Sequence, residues 1–431
     1  MKKWLKILLI LTMLAVLSVF CISCFEIVKY DEEKTASSDP ILGERFDLTN
    51  QVLQLIRDLY YDDPDYDLAD LYAAYGLVTS LGDYNYMYSV EDLLSSTVSD
   101  GKGFGLLIRS TVYNERLVDF ILPGSPFLTA SDGQLVQRGD EIYSINDMRV
   151  SGLDSNSYSL ILSMLPSDEP CVFTMKRGEE TFTVTYSKVD VIFPQCIYIN
   201  DLPGVPSNFG YIYLRSFDGN SAVLNEFTSA VASFNQDGNS ALILDLRGNG
   251  GGSSLVFQQI ASCLIGNTPI GEPLLEIDYA KKYPVSLIRS VSVAQKVQAE
   301  HIYVLCDNHT ASASEALIGT MKAHGTLTSL IGLNTVGKGV AQNGVNLLGG
   351  DGYLMDKGLN EEGEEIDLGP YIVQVIVGKY YIYDSSADGG KYCMHGQPFE
   401  PDVKITGSNV ISSDYSEDLY IAAAILDYQS R

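Results

Sequence analysis

Residues 302–325 open as Ile302-Tyr303-Val304-Leu305, pass through Thr310-Ala311-Ser312-Ala313-Ser314-Glu315, and end an amphipathic stretch near Gly325. The apolar run is short and β-branched enough for a buried strand, and the residues after Ser312 have helical spacing. Strand, turn and helix are therefore predicted in that order. The same alternation occurs upstream, with Ala241–Leu246 leading into Ser253–Ile265. Over residues 205–431 this pattern predicts an α/β domain with buried strands.

A serine at a strand-to-helix turn can project its oxygen where the helix N-terminus offers free N–H groups. The natural donor to an oxyanion there is the N–H of Ala313. Ser and Thr also favour helix caps, so spacing alone leaves Ser312 between nucleophile and cap. A second feature is Gly337-Lys338-Gly339, with Gln342 three residues further on. A lysine can act as a general base when burial lowers its pKa from about 10.4. Ser–Lys is a variant of the triad logic. Taken alone, Lys338 reads as a solvated loop residue.

The third feature runs from Leu244 to Gly252 as Leu-Asp-Leu-Arg-Gly-Asn-Gly-Gly-Gly. Consecutive glycines after a strand permit close backbone approach. One N–H there could be a second oxyanion donor. The absence of a GK[ST] sequence after these glycines excludes a P-loop. Asp245 and Arg247 read as a structural ion pair or as loop pins.

Outward from this core, residues 99–190 switch to short β-like runs: Phe104–Ile108, Leu117–Leu122, Glu141–Ile145, Cys171–Lys176 and Thr181–Tyr186. One helix-like stretch, Tyr158–Leu165, lies between them. That is the pattern of a small barrel. Residues 44–98 are predicted helical, with one helix from Phe46 to Leu59 and a second from about Leu68 to Leu81. Residues 25–43 are polar and read as a tether.

The N-terminus carries Lys2, Lys3 and Lys6 before an apolar run from Ile7 to Ile22. This is the layout of an export signal, and the run is short of the ~20 residues of a spanning helix. Ser23 directly before Cys24 resembles a bacterial lipobox, which implies lipidation of Cys24. Cys21 stands where a Leu is usual. An uncleaved anchor is the alternative, and either reading puts the chain in the cell envelope, membrane-tethered and facing the periplasm or exterior.

The formal charge is −27, and losing the three signal lysines takes it to −30. Nucleic acid binding needs clustered cations, so it is excluded as an expectation, as is electrostatic docking on anionic lipid. Hydrophobic content of 46% rules out whole-chain disorder. Cys171, Cys196, Cys263, Cys306 and Cys393 have no CxxC spacing, so neither a disulfide framework nor a metal site is expected. Tyr outnumbers Phe by 28 to 15, an excess the sequence alone does not explain.

Together, segment 245–252, Thr310–Glu315 and Gly337–Gln342 resemble the carboxy-terminal processing peptidases, or tail-specific proteases. The resemblance extends to Gly103-Phe104-Gly105-Leu106, Pro123-Gly124-Ser125-Pro126, Arg138-Gly139-Asp140-Glu141-Ile142 and Glu400-Pro401-Asp402-Val403, in the family's order. It implies a multidomain α/β fold: a ClpP/crotonase-like protease core over 191–431, an inserted PDZ-like β-barrel over 99–190, and an N-terminal helical segment. It further implies Ser312 as nucleophile, Lys338 as its base and Gln342 orienting the lysine. Ala313 and Gly251 would form the oxyanion hole. Phe104, Gly105 and Leu106 would hold a substrate's C-terminal carboxylate. Ser314 is a rival nucleophile, and His309 a rival base. Neither cofactor nor metal is implied. The expected partners are proteins with exposed C-terminal tails. The competing expectation is a catalytically silent lipoprotein that only binds such tails.

Overall fold

The computed structural model describes residues 52, 66–89, 102–111, 113–218, 221–279, 286–347, 353–354, 371–407 and 410–431. The export segment, Cys24, the tether, the helix expected from Phe46 to Leu59 (Val52 apart) and nearly all of the Gly- and acid-rich stretch 347–368 lie outside the described residues. The chain divides into two units.

The smaller unit takes in residues 1–98, 279–282 and 340–378. A helix runs Tyr66–Thr79. The chain then turns through Gly82, whose φ of +92° suits the close of a helix. Strand Tyr86–Ser89 pairs antiparallel with Tyr371–Gln374. Strand Val340–Leu347 pairs with Tyr353–Leu354.

The larger unit begins with an antiparallel sheet. Its strands are β1 (Leu106–Ser110), β2 (Arg116–Ile121), β3 (Glu141–Ile145), β4 (Met148–Arg149), β5 (Cys171–Arg177) and β6 (Glu180–Tyr186), with helix α1 (Ser155–Met164) before β5. The order is β1-β2-β3-β5-β6, with β4 paired to β3. This corrects the expected barrel. Closure would need β6 to pair back onto β1. Instead the chain leaves β6 and pairs Val189–Asp190 with Lys102–Gly103, a short ladder at the neck of the segment. The sheet stays open, with β1 at its edge. Phe127, Phe173, Ile142, Ile145 and Val184 fill its own core.

The rest of the larger unit is layered α/β. Strands β7 (Cys196–Ile199), β8 (Phe209–Leu214), β9 (Ala241–Asp245), β10 (His301–Cys306), β11 (Ser329–Gly332) and β12 (Val403–Lys404) lie side by side in chain order. Only β7–β8 is antiparallel; the other pairs are parallel. Every residue of β9 is buried, as expected of a parallel strand covered on both faces. Helices α2 (Ser221–Asp237), α3 (Ser254–Leu264), α4 (Ala313–Ala323) and α5 (Leu419–Ser430) complete this part. Side chains from the antiparallel sheet join its core: Phe120 and Leu122 cluster with Tyr211, Ile243 and Tyr415. The Phe120 ring stacks on Tyr213 at 5.1 Å. A fully buried Phe is worth about 1.5–3 kcal/mol, so this seam holds the sheet against the α/β layer.

Candidate active site

Strands β9 and β10 run parallel with Asp245 opposite Leu305. Their carboxyl ends therefore release two loops side by side, the usual place for a site in an open α/β sheet. Backbone and side-chain bonds stitch the loops together. Leu246 N donates to Leu305 O at 2.9 Å, and Ala311 N to Asn249 O at 3.0 Å. Thr310 Oγ1 donates to Leu246 O at 2.9 Å. Ser314 Oγ donates to Asn249 O at 3.1 Å and is fully buried, so this rival nucleophile is committed to the neighbouring loop.

Ser312 precedes α4 with φ +57° and ψ −115°. A non-glycine residue there stores about 1–3 kcal/mol of strain and persists only where neighbours fix it. Ala313 is the first helical residue, so no helical carbonyl accepts its N–H. Gly251 lies against both. A Cβ built on it would stand 2.7 Å from Ser312 Cβ and 2.8 Å from Ala313 N, at φ +100°. The structure thus brings Ser312, Ala313 and Gly251 together. The Gly251 N–H itself donates to Asn249 Oδ1 at 2.9 Å. For Gly251 to serve an oxyanion, that bond must be exchanged. Gly251→Ala keeps the N–H but drives a Cβ into Ser312 and Ala313, and the resulting displacement of the donor is expected to lower kcat by about 10²–10³-fold. Gly250→Ala, where a Cβ meets nothing within 4 Å, should leave kcat unchanged. Steady-state kinetics of the two variants checks this.

Glu315 is the hub of the site, and it is fully buried. Its Oε2 accepts from Ser312 N at 2.9 Å and from Lys338 N at 2.8 Å. Its Oε1 accepts from Gly337 N and from Thr335 Oγ1, both at 2.6 Å. One carboxylate therefore ties the Ser312 turn to the Lys338 loop. Its signals in the sequence are a favourable place in the first helical turn and the S-x-x-E spacing of a capping box with Ser312. The flanking glycines now have reasons. Gly337 has φ +82°, and a side chain at Gly339 would run into the backbone of His395.

The half-buried Lys338 is held below its ordinary pKa of 10.5. Burial lowers it, against Asp218 and Glu315, whose negative charges raise it. A base acts only when deprotonated, so kcat/KM should rise with pH through this lowered pKa. Asp218→Asn removes one raising charge and should move that acidic limb to lower pH. A pH–rate profile in which the limb stays put or moves up contradicts the assignment.

The other residues singled out by sequence fall in several places. Gln342 belongs to the smaller unit, where its Nε2 donates to Tyr84 O at 2.5 Å. His309 is exposed in the loop after β10. Phe104 packs edge-on against Phe173 at 4.8 Å, and Ser125 Oγ donates to its carbonyl at 2.6 Å. Gly105 has φ +64°, and a Cβ there would meet Ser125 Cβ at 2.7 Å. Leu106 opens the edge strand β1. Asp245 and Arg247 form a buried, two-pronged pair, with Nε to Oδ1 at 2.9 Å and Nη2 to Oδ2 at 2.6 Å. Cys263 and Cys306 are buried, which pushes their thiols up to about 11 and about 12. Among the described residues no group of three His, Cys, Asp or Glu is placed to hold a metal ion.

Residues 208–405 match the model of Peptidase family S41. The chain is 25% identical over 314 residues to the carboxy-terminal processing protease CtpA of Bacillus subtilis, covering 72% of this chain and 63% of that protein. It is 26% identical over 287 residues to the chloroplastic carboxyl-terminal-processing peptidase 1 of Arabidopsis thaliana, covering 65% and 57%. The chain thus spans about six tenths of the length of these curated relatives. A solved Bacteroides fragilis NCTC 9343 chain described as an S41 protease shares the fold, with a TM-score of 0.53 at 16% identity over 86% of this chain and 91% of that one. Residues 208–405 thus match Peptidase family S41, and the chain as a whole is similar to carboxy-terminal processing peptidases.

Proposed function

We propose that the chain is an exported, membrane-tethered serine endopeptidase that cleaves proteins recognised through their C-terminal tails. The observation that carries this reading is the Glu315 carboxylate holding both the Ser312 turn and the Lys338 loop. Ser312 Oγ attacks a peptide carbonyl while neutral Lys338 Nζ takes its proton. Ala313 N–H, and Gly251 N–H once released by Asn249, bind the oxyanion. The lysine ammonium then protonates the leaving amine. Water, deprotonated by the same lysine, hydrolyses the acyl-serine. The open sheet acts as a PDZ-like module. A tail adds as a strand to edge β1, its carboxylate at Phe104-Gly105-Leu106. Cys24 carries the lipid.

The test is incubation of the full-length chain, in detergent, with a protein bearing an unstructured C-terminal tail, alongside Ser312→Ala. Cleavage by the wild type alone supports the reading. Tail binding by both with cleavage by neither overturns it in favour of a silent tail-binding lipoprotein.

A further inference from the structure

Six charged side chains meet in the larger unit where the antiparallel sheet packs on the α/β layer. The sheet contributes Arg109 from β1, Asp119 from β2 and Arg138. The α/β layer contributes Asp245 at the end of β9, Arg247 two residues on, and Asp418 at the start of α5. Asp119 bridges Arg109 at 2.7 Å and Arg138 at 3.0 Å. Arg247 bridges Asp245 at 2.6 Å and Asp418 at 3.0 Å. Two of these ion pairs cross the seam: Arg109 to Asp245 at 3.5 Å, and Arg138 to Asp418 at 3.6 Å. Asp245 and Asp418 are wholly inaccessible, and the Arg109 side chain is 19% exposed. Arg138 adds a bond from Nη1 to Ser412 O at 2.6 Å and lies over the Tyr415 ring at 3.9 Å.

The signs matter more than the distances. The α/β layer's share is two aspartates and one arginine, a net charge of −1. The sheet's share is two arginines and one aspartate, a net charge of +1. Docked, the six are neutral. Apart, each side keeps an uncompensated charge in a place built to be dry, which is strongly unfavourable. Burial raises the pKa of Asp245, yet Arg247 and Arg109 prevail and hold it at about 2.

Asp245 and Arg247 are also the two residues that launch the glycine loop. Arg247 N–H donates to Asp245 Oδ1 at 2.9 Å, and Tyr211 OH to Asp245 Oδ2 at 2.6 Å. Gly248 through Gly251 come directly after, and Gly251 rests against Ser312. We propose that Arg109 is a positioning residue of the glycine loop: by placing its charge on Asp245 across the seam, the antiparallel sheet completes the mount from which residues 248–251 reach Ser312. Its catalytic consequence rests on the peptidase reading above; the mount itself does not.

The test compares the full-length wild type with Arg109→Met and Arg109→Lys by hydrogen exchange and by kinetics on a tail substrate. Arg109→Met should speed amide exchange in residues 246–252, leave α2 as protected as in the wild type, and lower kcat about tenfold with KM unchanged. Arg109→Lys, which restores the charge, should recover most of the loop's protection. Unchanged exchange over 246–252 in Arg109→Met overturns the proposal. So does a uniform loss of protection that includes α2, because that is global destabilisation. If the wild type cleaves nothing, the peptidase reading fails, and the exchange comparison still decides whether the sheet mounts the loop.

Discussion

Lys338→Ala is expected to lower kcat/KM on a tail substrate by about 10²–10⁴-fold, the contribution of a positioned general base. His309→Ala should leave the rate near that of the wild type. The reasons are geometric and electrostatic. The Lys338 backbone is held by the carboxylate that also holds the Ser312 backbone, at 2.8 and 2.9 Å. Burial lowers the Lys338 pKa, which increases its neutral fraction at working pH. His309 lies exposed in the loop before Ser312. Measuring kcat/KM for both variants separates the assignments, and an active Lys338→Ala enzyme refutes the dyad.

The second large effect is expected from Glu315→Gln. The side chain keeps its size, but one acceptor oxygen becomes an NH₂ donor. Four donors converge on the native carboxylate, and the amide then faces two of them with another donor. A buried donor left without an acceptor costs about 1–3 kcal/mol. Two such losses should lower Tm by about 5–15 °C in a domain of this size. Activity should fall as well, because Ser312 at φ +57° loses the bond that fixes its turn. Thermal melts and kinetics on the same preparation check both halves. A Gln variant that melts with the wild type contradicts the hub role.

Much of the fold was legible because it is written locally. Ala241–Leu244 and Ile302–Leu305 are continuous apolar runs, and both lie in parallel strands. The expected Tyr158–Leu165 helix is Ser155–Met164, its start fixed by Asp154 capping Asn156 and Ser157. The juxtaposition of Ser312, Ala313 and Gly251 arises from two loops leaving the carboxyl ends of adjacent parallel strands. What was not legible depends on partners far along the chain. Glu315 read as a first-turn carboxylate, because Thr335, Gly337 and Lys338 are remote in sequence. Barrel closure also depends on long-range pairing, and alternation within strands carries no information about it. The tyrosine excess gains a partial reason. Tyr211, Tyr198 and Tyr383 donate their hydroxyls to Asp245, Asp237 and Glu276, tasks that Phe cannot perform in so acidic a chain.

The central claim is that Ser312 becomes acylated during cleavage. The direct measurement is intact and peptide mass analysis of the full-length chain after acid quench during turnover of a tail substrate. The account predicts an added substrate fragment on the peptide containing Ser312, present in the wild type and absent, together with all cleavage, in Ser312→Ala. Undiminished cleavage by Ser312→Ala, with no adduct on that peptide in the wild type, would contradict it.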